Sequence, residues 1–356
     1  VANDERGAVM RRVMAMRVLT MGLSVQAMAG CGGDAPREAG KAATAASADS
    51  AAARPADAAD SATAAASRLP RGPYTPDSMG RVPVFEYHVI RAGPTEFHHP
   101  PEALRRDLQV LYDAGYRPVT VAEMHDRRID QVLPAGYRAF AAVFDDADPT
   151  QFSYVESADG TLSIDPNSAV GIWTEFTRTH PGWRNAATFC VLSAGDAGGA
   201  FFGRGGIKGQ KTEWRYPKMK FLAQQGFEIC NHTVWHARLD KYSDAYVQEQ
   251  IARLQMAVDS AVPGYRVRTL ALPLGIWPKT RPLAWAGSWR DPRTGQTVRY
   301  AHDAVLEVSG GPSVSPRDPA YDGHSIDRVI AHRDVVERTV RRLEPDGAYV
   351  SAGAGR

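Results

Sequence analysis

The sequence predicts an α/β fold, an irregular (β/α) barrel, and three observations predict it. Between about Arg81 and Val350, short apolar runs alternate with stretches of helical periodicity, as in parallel strands joined by helices. About eight such runs fall within roughly 270 residues, close to the length of a barrel. The residues with the most chemistry follow directly after apolar runs, where a barrel places its active site.

The elements come in this order. Val82–Tyr87 reads as a first strand. Glu102–Ala114 reads as a helix with Pro101 at its start and Leu104, Leu108 and Leu111 on one face. Pro118–Val121 is a short strand, and Arg138–Phe144 is a strand that runs into two aspartates. Gln151–Ile164 looks like an inserted hairpin with Asp159-Gly160 in its turn, followed by a helix capped at Asp165-Pro166. Ala187–Leu192 and Glu228–Cys230 are further strands, separated by a Gly-rich loop at 195–209 that lacks the spacing of a phosphate-binding loop. Ser243–Ser260 is a helix with Tyr246, Ile251, Leu254 and Val258 as its apolar face. Thr269–Leu272 and Ala304–Val308 complete the strands, and Ile326–Leu343 is a final helix.

Composition narrows the function classes. The chain has 356 residues, 44% of them apolar and 23% charged, with a formal charge of +2. That near balance gives no argument for a nucleic-acid partner. No apolar run reaches the roughly 18 residues of a membrane-spanning helix. The first residue is Val1, and Met10 or Met14 is the expected start of a secretion signal. Arg11, Arg12 and Arg17 precede a weakly apolar stretch, and small residues precede Cys31. Residues 1–31 therefore read as a lipoprotein signal peptide, with Met28-Ala29-Gly30-Cys31 resembling a lipobox and Cys31 as the lipidated residue. Residues 32–79 are rich in Ala, Ser, Asp and Pro and read as a disordered tether, leaving 80–350 as the catalytic domain.

Two motifs carry the chemistry. Val143-Phe144-Asp145-Asp146 ends a strand in two carboxylates, and Asn231-His232-Thr233-Val234-Trp235-His236 holds two histidines at i and i+4. A helical turn would put both imidazoles on one face. Either motif alone fits a plain turn or ordinary satisfied histidines as well as a site. Together they offer two His and one carboxylate, a recurring catalytic metal set, with a second aspartate left to handle a proton.

On these residues the chain resembles the polysaccharide deacetylase (NodB-homology) family over about residues 81–345. Val143-Phe144-Asp145-Asp146-Ala147 is similar to its Thr-Phe-Asp-Asp-Gly motif, and His232-Thr233-Val234-Trp235-His236 to its second motif. The Ala187-Thr188-Phe189 strand and Leu272-Pro273-Leu274-Gly275 match in order. Pro83-Val84-Phe85-Glu86-Tyr87-His88 resembles the circularly permuted branch that contains poly-N-acetylglucosamine deacetylases and related lipoproteins. The resemblance implies a seven-stranded NodB-like barrel that removes N-acetyl groups from an acetylated polysaccharide. It implies a divalent ion, zinc first, on Asp146, His232 and His236, with Asp145 as general base and His88 as general acid. Pro273, Leu274 and Gly275 would border the sugar pocket and the oxyanion site. Trp235 and Trp277 are the aromatic residues expected to stack on sugar rings. An acetyl-ester hydrolase with the same site, or a non-catalytic carbohydrate-binding lipoprotein, is the alternative. The expected location is the bacterial cell envelope, on the periplasmic or extracellular face of a membrane, through the lipid on Cys31.

The chain departs from the family in three places. Ala147 replaces a glycine and should resist a positive φ after Asp146. Leu272-Pro273-Leu274-Gly275 lacks the arginine that orients the base in the best-known members. Extra chain at about 148–185 lies beside the first motif. Cys190 and Cys230 both end candidate strands and, if those strands are adjacent, read equally as a disulfide or as two buried thiols.

Overall fold

The computed structural model describes residues 72–195, 200–344 and 347–355. The chain forms β1 (Val84–Tyr87), α1 (Pro101–Asp113), β2 (Tyr116–Pro118), α2 (Val121–His125), α3 (Ile129–Val132) and β3 (Arg138–Phe144). The insertion follows as β4 (Tyr154–Glu156), β5 (Leu162–Ile164) and α4 (Ala169–Thr179). Then come β6 (Thr188–Val191), α5 (Arg215–Gln225), β7 (Glu228–Asn231), α6 (Asp244–Ala261) and β8 (Thr269–Ala271). A second hairpin, β9 (Ala286–Arg290) and β10 (Thr297–Ala301), precedes β11 (Ala304–Leu306), β12 (Val329–Ile330) and α7 (Val335–Leu343).

Seven parallel strands lie in the order β11-β8-β7-β6-β3-β1-β12, and β2 pairs with the first half of β3. Just ahead of β12 the chain runs beside β11, where the Ile326 N–H donates to the Val305 carbonyl and the Glu307 N–H to the Ile326 carbonyl. It then enters β12 next to β1. One stretch of chain thus touches both edges and curls the sheet into the expected irregular barrel.

Strand alternation decides what faces the interior. All seven residues of β3 are buried. Ala139, Ala141 and Val143 pack in the inner cluster with Val84, Cys190, Cys230, Ala271 and Leu306. Phe140, Ala142 and Phe144 pack outward against Leu104, Leu108, Trp173 and Phe189 under the helices. Burying each large outward side chain contributes roughly 1.5–3 kcal/mol. Because side chains alternate, Asp145 follows Val143 to the inside, and Glu86 and His88 follow Val84. Cys190 and Cys230 are paired in register on β6 and β7 and joined as a disulfide in that interior.

Several elements differ from the sequence expectation. Residues 72–79, expected in the tether, pack on the domain: Gly72 N–H donates to the Ala135 carbonyl at 2.7 Å, and Asp77 bridges to Val350. Thr120 does not continue a strand but caps α2, with its hydroxyl accepting from Glu123 N–H and the Glu123 carboxylate accepting from Thr120 N–H. Ser168, not Asp165, caps the helix after the hairpin. On α6 the buried face starts at Val247 rather than Tyr246. The expected helix at Ile326–Leu343 begins only at Val335, because the β-branched pair Val329-Ile330 is paired with Phe85-Glu86 as β12. No helix among the described residues is long and apolar enough to cross a membrane. The signal peptide, Cys31 and the tether up to residue 71 lie outside the described residues.

Candidate active site

The two sequence motifs meet at the C-terminal mouth of the barrel. Asp146 Oδ1 lies 3.4 Å from His232 Nε2 and 3.7 Å from His236 Nε2. Ligand atoms around a tetrahedral zinc at ~2.0–2.1 Å stand about 3.3 Å apart, so this trio is spaced to share one ion. His232 Nδ1 lies 2.9 Å from the Ala271 carbonyl. That contact makes Nδ1 the protonated nitrogen and turns the Nε2 lone pair toward Asp146. Nε2 is buried and has no hydrogen-bond partner among the described residues. These residues fit a divalent cation.

The histidines converge by a route the sequence did not suggest. The turn is not helical, because Thr233 has φ 68° and His236 φ 63°. Asn231 Oδ1 accepts from Thr233 N–H at 2.9 Å, and Thr233 Oγ1 accepts from His236 N–H at 3.1 Å. These bonds hold left-handed backbone that costs ~1 kcal/mol or more per residue. The same holds after β3: Asp146 has φ 76° and Ala147 φ 49°, so the alanine accepts the positive φ that its Cβ disfavours. The loop after β6 braces this turn, with Phe202 N–H on the Ala147 carbonyl at 3.1 Å and Lys208 Nζ 2.7 Å from Asp148 Oδ2.

Asp145 stands behind the trio, fully buried, with Oδ2 3.8 Å from His232 Nε2. Arg328, which the sequence reading missed, donates from Nη1 to Asp145 Oδ2 at 2.8 Å and from Nε to the Glu307 carbonyl at 2.8 Å. Its Nε is also 3.3 Å from Glu86 Oε2, and Glu86 Oε1 is 3.3 Å from His88 Nε2. The fully buried guanidinium is therefore the cation between two carboxylates, which answers the missing arginine at 272–275 from the segment just before β12. Burial works to raise the Asp145 carboxyl, but the charges of Arg328, His232 and His88 outweigh it and hold the group below its ordinary value. For Glu86 burial wins over Arg328 and pushes the carboxyl up. Burial also opposes ionisation of Asp146, yet the neighbouring His232, with His88 and His236, holds it low. His232 is raised by Asp145 and Asp146 against its burial, whereas burial, and then His232, lower His236.

Asp145 Oδ1 and His88 Nδ1 are both buried without a hydrogen-bond partner among the described residues. Donor atoms of Glu86, His88 and Asp145 lie within 4.8 Å of one another. Asp145 Oδ1 thus remains an unused acceptor and His88 Nδ1 an unused nitrogen, on side chains that lie together with Glu86. Glu86 and Arg328 carried a weak sequence signal: each is a charged residue adjoining β-branched or aromatic residues of a strand.

The candidate substrate residues divide. Trp235 is 40% exposed beside His236, and Leu274 is 56% exposed with φ 59°. Trp277 is half-buried, with Nε1 donating to Glu307 Oε1 at 2.8 Å and Arg281 over its ring at 3.9 Å, so that face is covered. Pro273 is buried, and Gly275 N–H is committed to the Leu272 carbonyl. Phe97, 42% exposed and edge-on to His88, is an aromatic residue at the mouth that the sequence reading did not single out.

Comparison with known proteins now adds to this geometry. The sequence profile of the polysaccharide deacetylase family matches residues 184–285, which include β6, β7, β8 and both site histidines. A search of curated proteins finds no match. The Streptococcus pyogenes deacetylase PplD, solved with acetate, is 18% identical with a TM-score of 0.52, over 76% of this chain and all of its own. A polysaccharide deacetylase from Bacillus cereus is 15% identical with a TM-score of 0.51, over 74% of this chain and 69% of its own. At such identities the two structures establish the shared fold. The profile match over residues 184–285, the shared barrel and the ordered motifs together make the chain similar to the polysaccharide deacetylase family.

Proposed function

We propose that the protein is a metal-dependent hydrolase that removes N-acetyl groups from a polysaccharide containing N-acetylglucosamine. The observation that carries this reading is the cation-spaced trio Asp146, His232 and His236 beside a second close group, Glu86, His88 and Asp145. Asp146, His232 and His236 would hold the ion. When bound there, a divalent cation such as zinc supplies positive charge that polarises the acetyl carbonyl and acidifies water. Asp145, kept ionised by Arg328, accepts a proton at Oδ1 as water adds to the carbonyl carbon. Glu86 stands 3.3 Å from His88 Nε2 and orients the ring, and a protonated His88 is the group that delivers a proton to the leaving nitrogen. That proton lets the sugar leave as an amine rather than as its anion. Trp235 and Phe97 offer open aromatic faces to the apolar side of sugar rings. The lipobox at Cys31 supports a place on the cell envelope, with the acetylated polymer as partner.

The test is metal content together with acetate release. Purified protein is expected to hold about one zinc per chain, by the trio's count of ligands. It should release acetate from N-acetylglucosamine oligomers until a chelator is added. A protein that takes up no metal and releases no acetate after zinc is restored would overturn the reading.

A further inference from the structure

Beyond the last rung of the β1–β3 ladder, where Asp145 N–H donates to the Tyr87 carbonyl, the two strands diverge into their loops. The carbonyls of His88 and Asp145 lie just past that rung. Both are taken up by one group, the side-chain amide of Gln151, whose Nε2 donates to the His88 carbonyl at 2.7 Å and to the Asp145 carbonyl at 2.5 Å. Two acceptors face this amide, so only its NH2 end fits there. Gln151 is fully buried, and its Oε1 has no partner among the described residues. Its own backbone is fixed, with its N–H on the Asp148 carbonyl and its carbonyl accepting from Val170 N–H of α4. Thr150 adds a second tie, accepting the Ile90 N–H on Oγ1 at 2.8 Å.

We infer that Gln151 is a positioning residue that replaces the missing rung and locks the candidate base and candidate acid into one frame. The inference rests on the deacetylase reading for what the frame is used for, and on the geometry alone for its existence. Each of the two carbonyls belongs to a residue that must place a side-chain atom on the same substrate. A main-chain shift at either one moves the Asp145 carboxylate relative to the His88 ring. The chain spends the first turn of its extra segment at 148–185 on this clamp, which gives the insertion a task inside the site. Gln151 touches no substrate in this arrangement and acts through the two strands it ties.

The test uses Gln151→Met, which keeps length and volume but removes both donors. In the zinc-loaded full chain, kcat on N-acetylglucosamine oligomers should fall about 10²-fold, the scale of a misplacement near 1 Å. KM and bound zinc should stay close to wild type, and the variant should remain folded at the assay temperature although two unpaired carbonyls lower its thermal midpoint, a split that a loss of folding would not give. A folded, zinc-loaded variant with wild-type kcat would overturn the inference. If Gln151→Met does not fold, Gln151→Glu serves. Only its protonated form offers a donor, so its activity relative to wild type should rise as pH falls, and a constant ratio would overturn the clamp. A readout free of turnover is the Gln151 side-chain amide in the 15N spectrum of wild type. Both protons should exchange slowly, and rapid exchange would remove the clamp outright. If wild type releases no acetate, the deacetylase reading fails, and amide exchange still decides the clamp.

Discussion

Arg328 and Asp145 are 183 residues apart in sequence and one hydrogen bond apart in the fold, with Nη1 2.8 Å from Oδ2. The guanidinium has no exposed surface, and neither carboxylate it touches can reach solvent for compensation. Arg328→Met should therefore leave two buried carboxylates facing each other. The expected loss is about 3–5 kcal/mol of stability, as for other broken buried pairs. Urea unfolding of wild type and variant checks this, and a change below about 1 kcal/mol, the scale of a surface pair, would show that the pair is solvated after all.

The cation trio and the base should separate experimentally. His236→Ala is expected to lower zinc affinity by more than the 10–100-fold typical of losing an outer-shell partner. Asp145→Asn should keep zinc and lose about 10²–10⁴-fold in turnover, the range for a general base. Elemental analysis beside an acetate assay distinguishes them. Full turnover in Asp145→Asn would return the proton-accepting role to another group.

His88 decides between amide and ester chemistry. Because an alkoxide leaves more readily than an amide anion, His88→Ala should cost about 10²–10⁴-fold on N-acetylated sugars and far less on an acetyl ester. Equal losses on both substrates would mean that His88 shapes the site rather than donating a proton.

Acid sensitivity should come partly from His302. Burial pushes this imidazole down to about 4, although its Nδ1 reaches the Ala284 carbonyl at 2.9 Å. An unfolded chain binds the proton near 6.5 and the folded one only near 4, so the unfolded state holds more protons between those values. Stability should thus fall as pH drops from about 6.5 towards 4, by up to ~3 kcal/mol from this group. In His302→Gln that part of the pH dependence should vanish. Urea midpoints at pH 7.5 and 4.5 measure it, and parallel shifts in both proteins would clear His302 of the effect.

The outward periodicity of α1 and the apolar run of β3 were legible, because local patterning alone places Leu104, Leu108 and Phe144. Asp145, Asp146, His232 and His236 were legible because they follow strands. Glu86 and Arg328 were not, because a charge in or beside a buried strand is recognised only once its counter-charge is known. The β12 segment was hidden by helical periodicity running back from α7, and with it the arginine that the 272–275 segment lacks. The non-helical turn at Thr233 escaped for a related reason: side-chain bonds from Asn231 and Thr233, not local preference, hold its backbone.

The packed segment at 72–79 braces one end of the barrel only. Gly72 and Asp77 grip residues at the start of β3 and the end of the domain, whereas Asp145 and Asp146 sit past the other end of that seven-residue strand, roughly 20 Å away. Gly72 therefore sits at the floor of the barrel, and the two carboxylates stand at the opposite end, so the segment that braces the floor leaves the mouth uncovered.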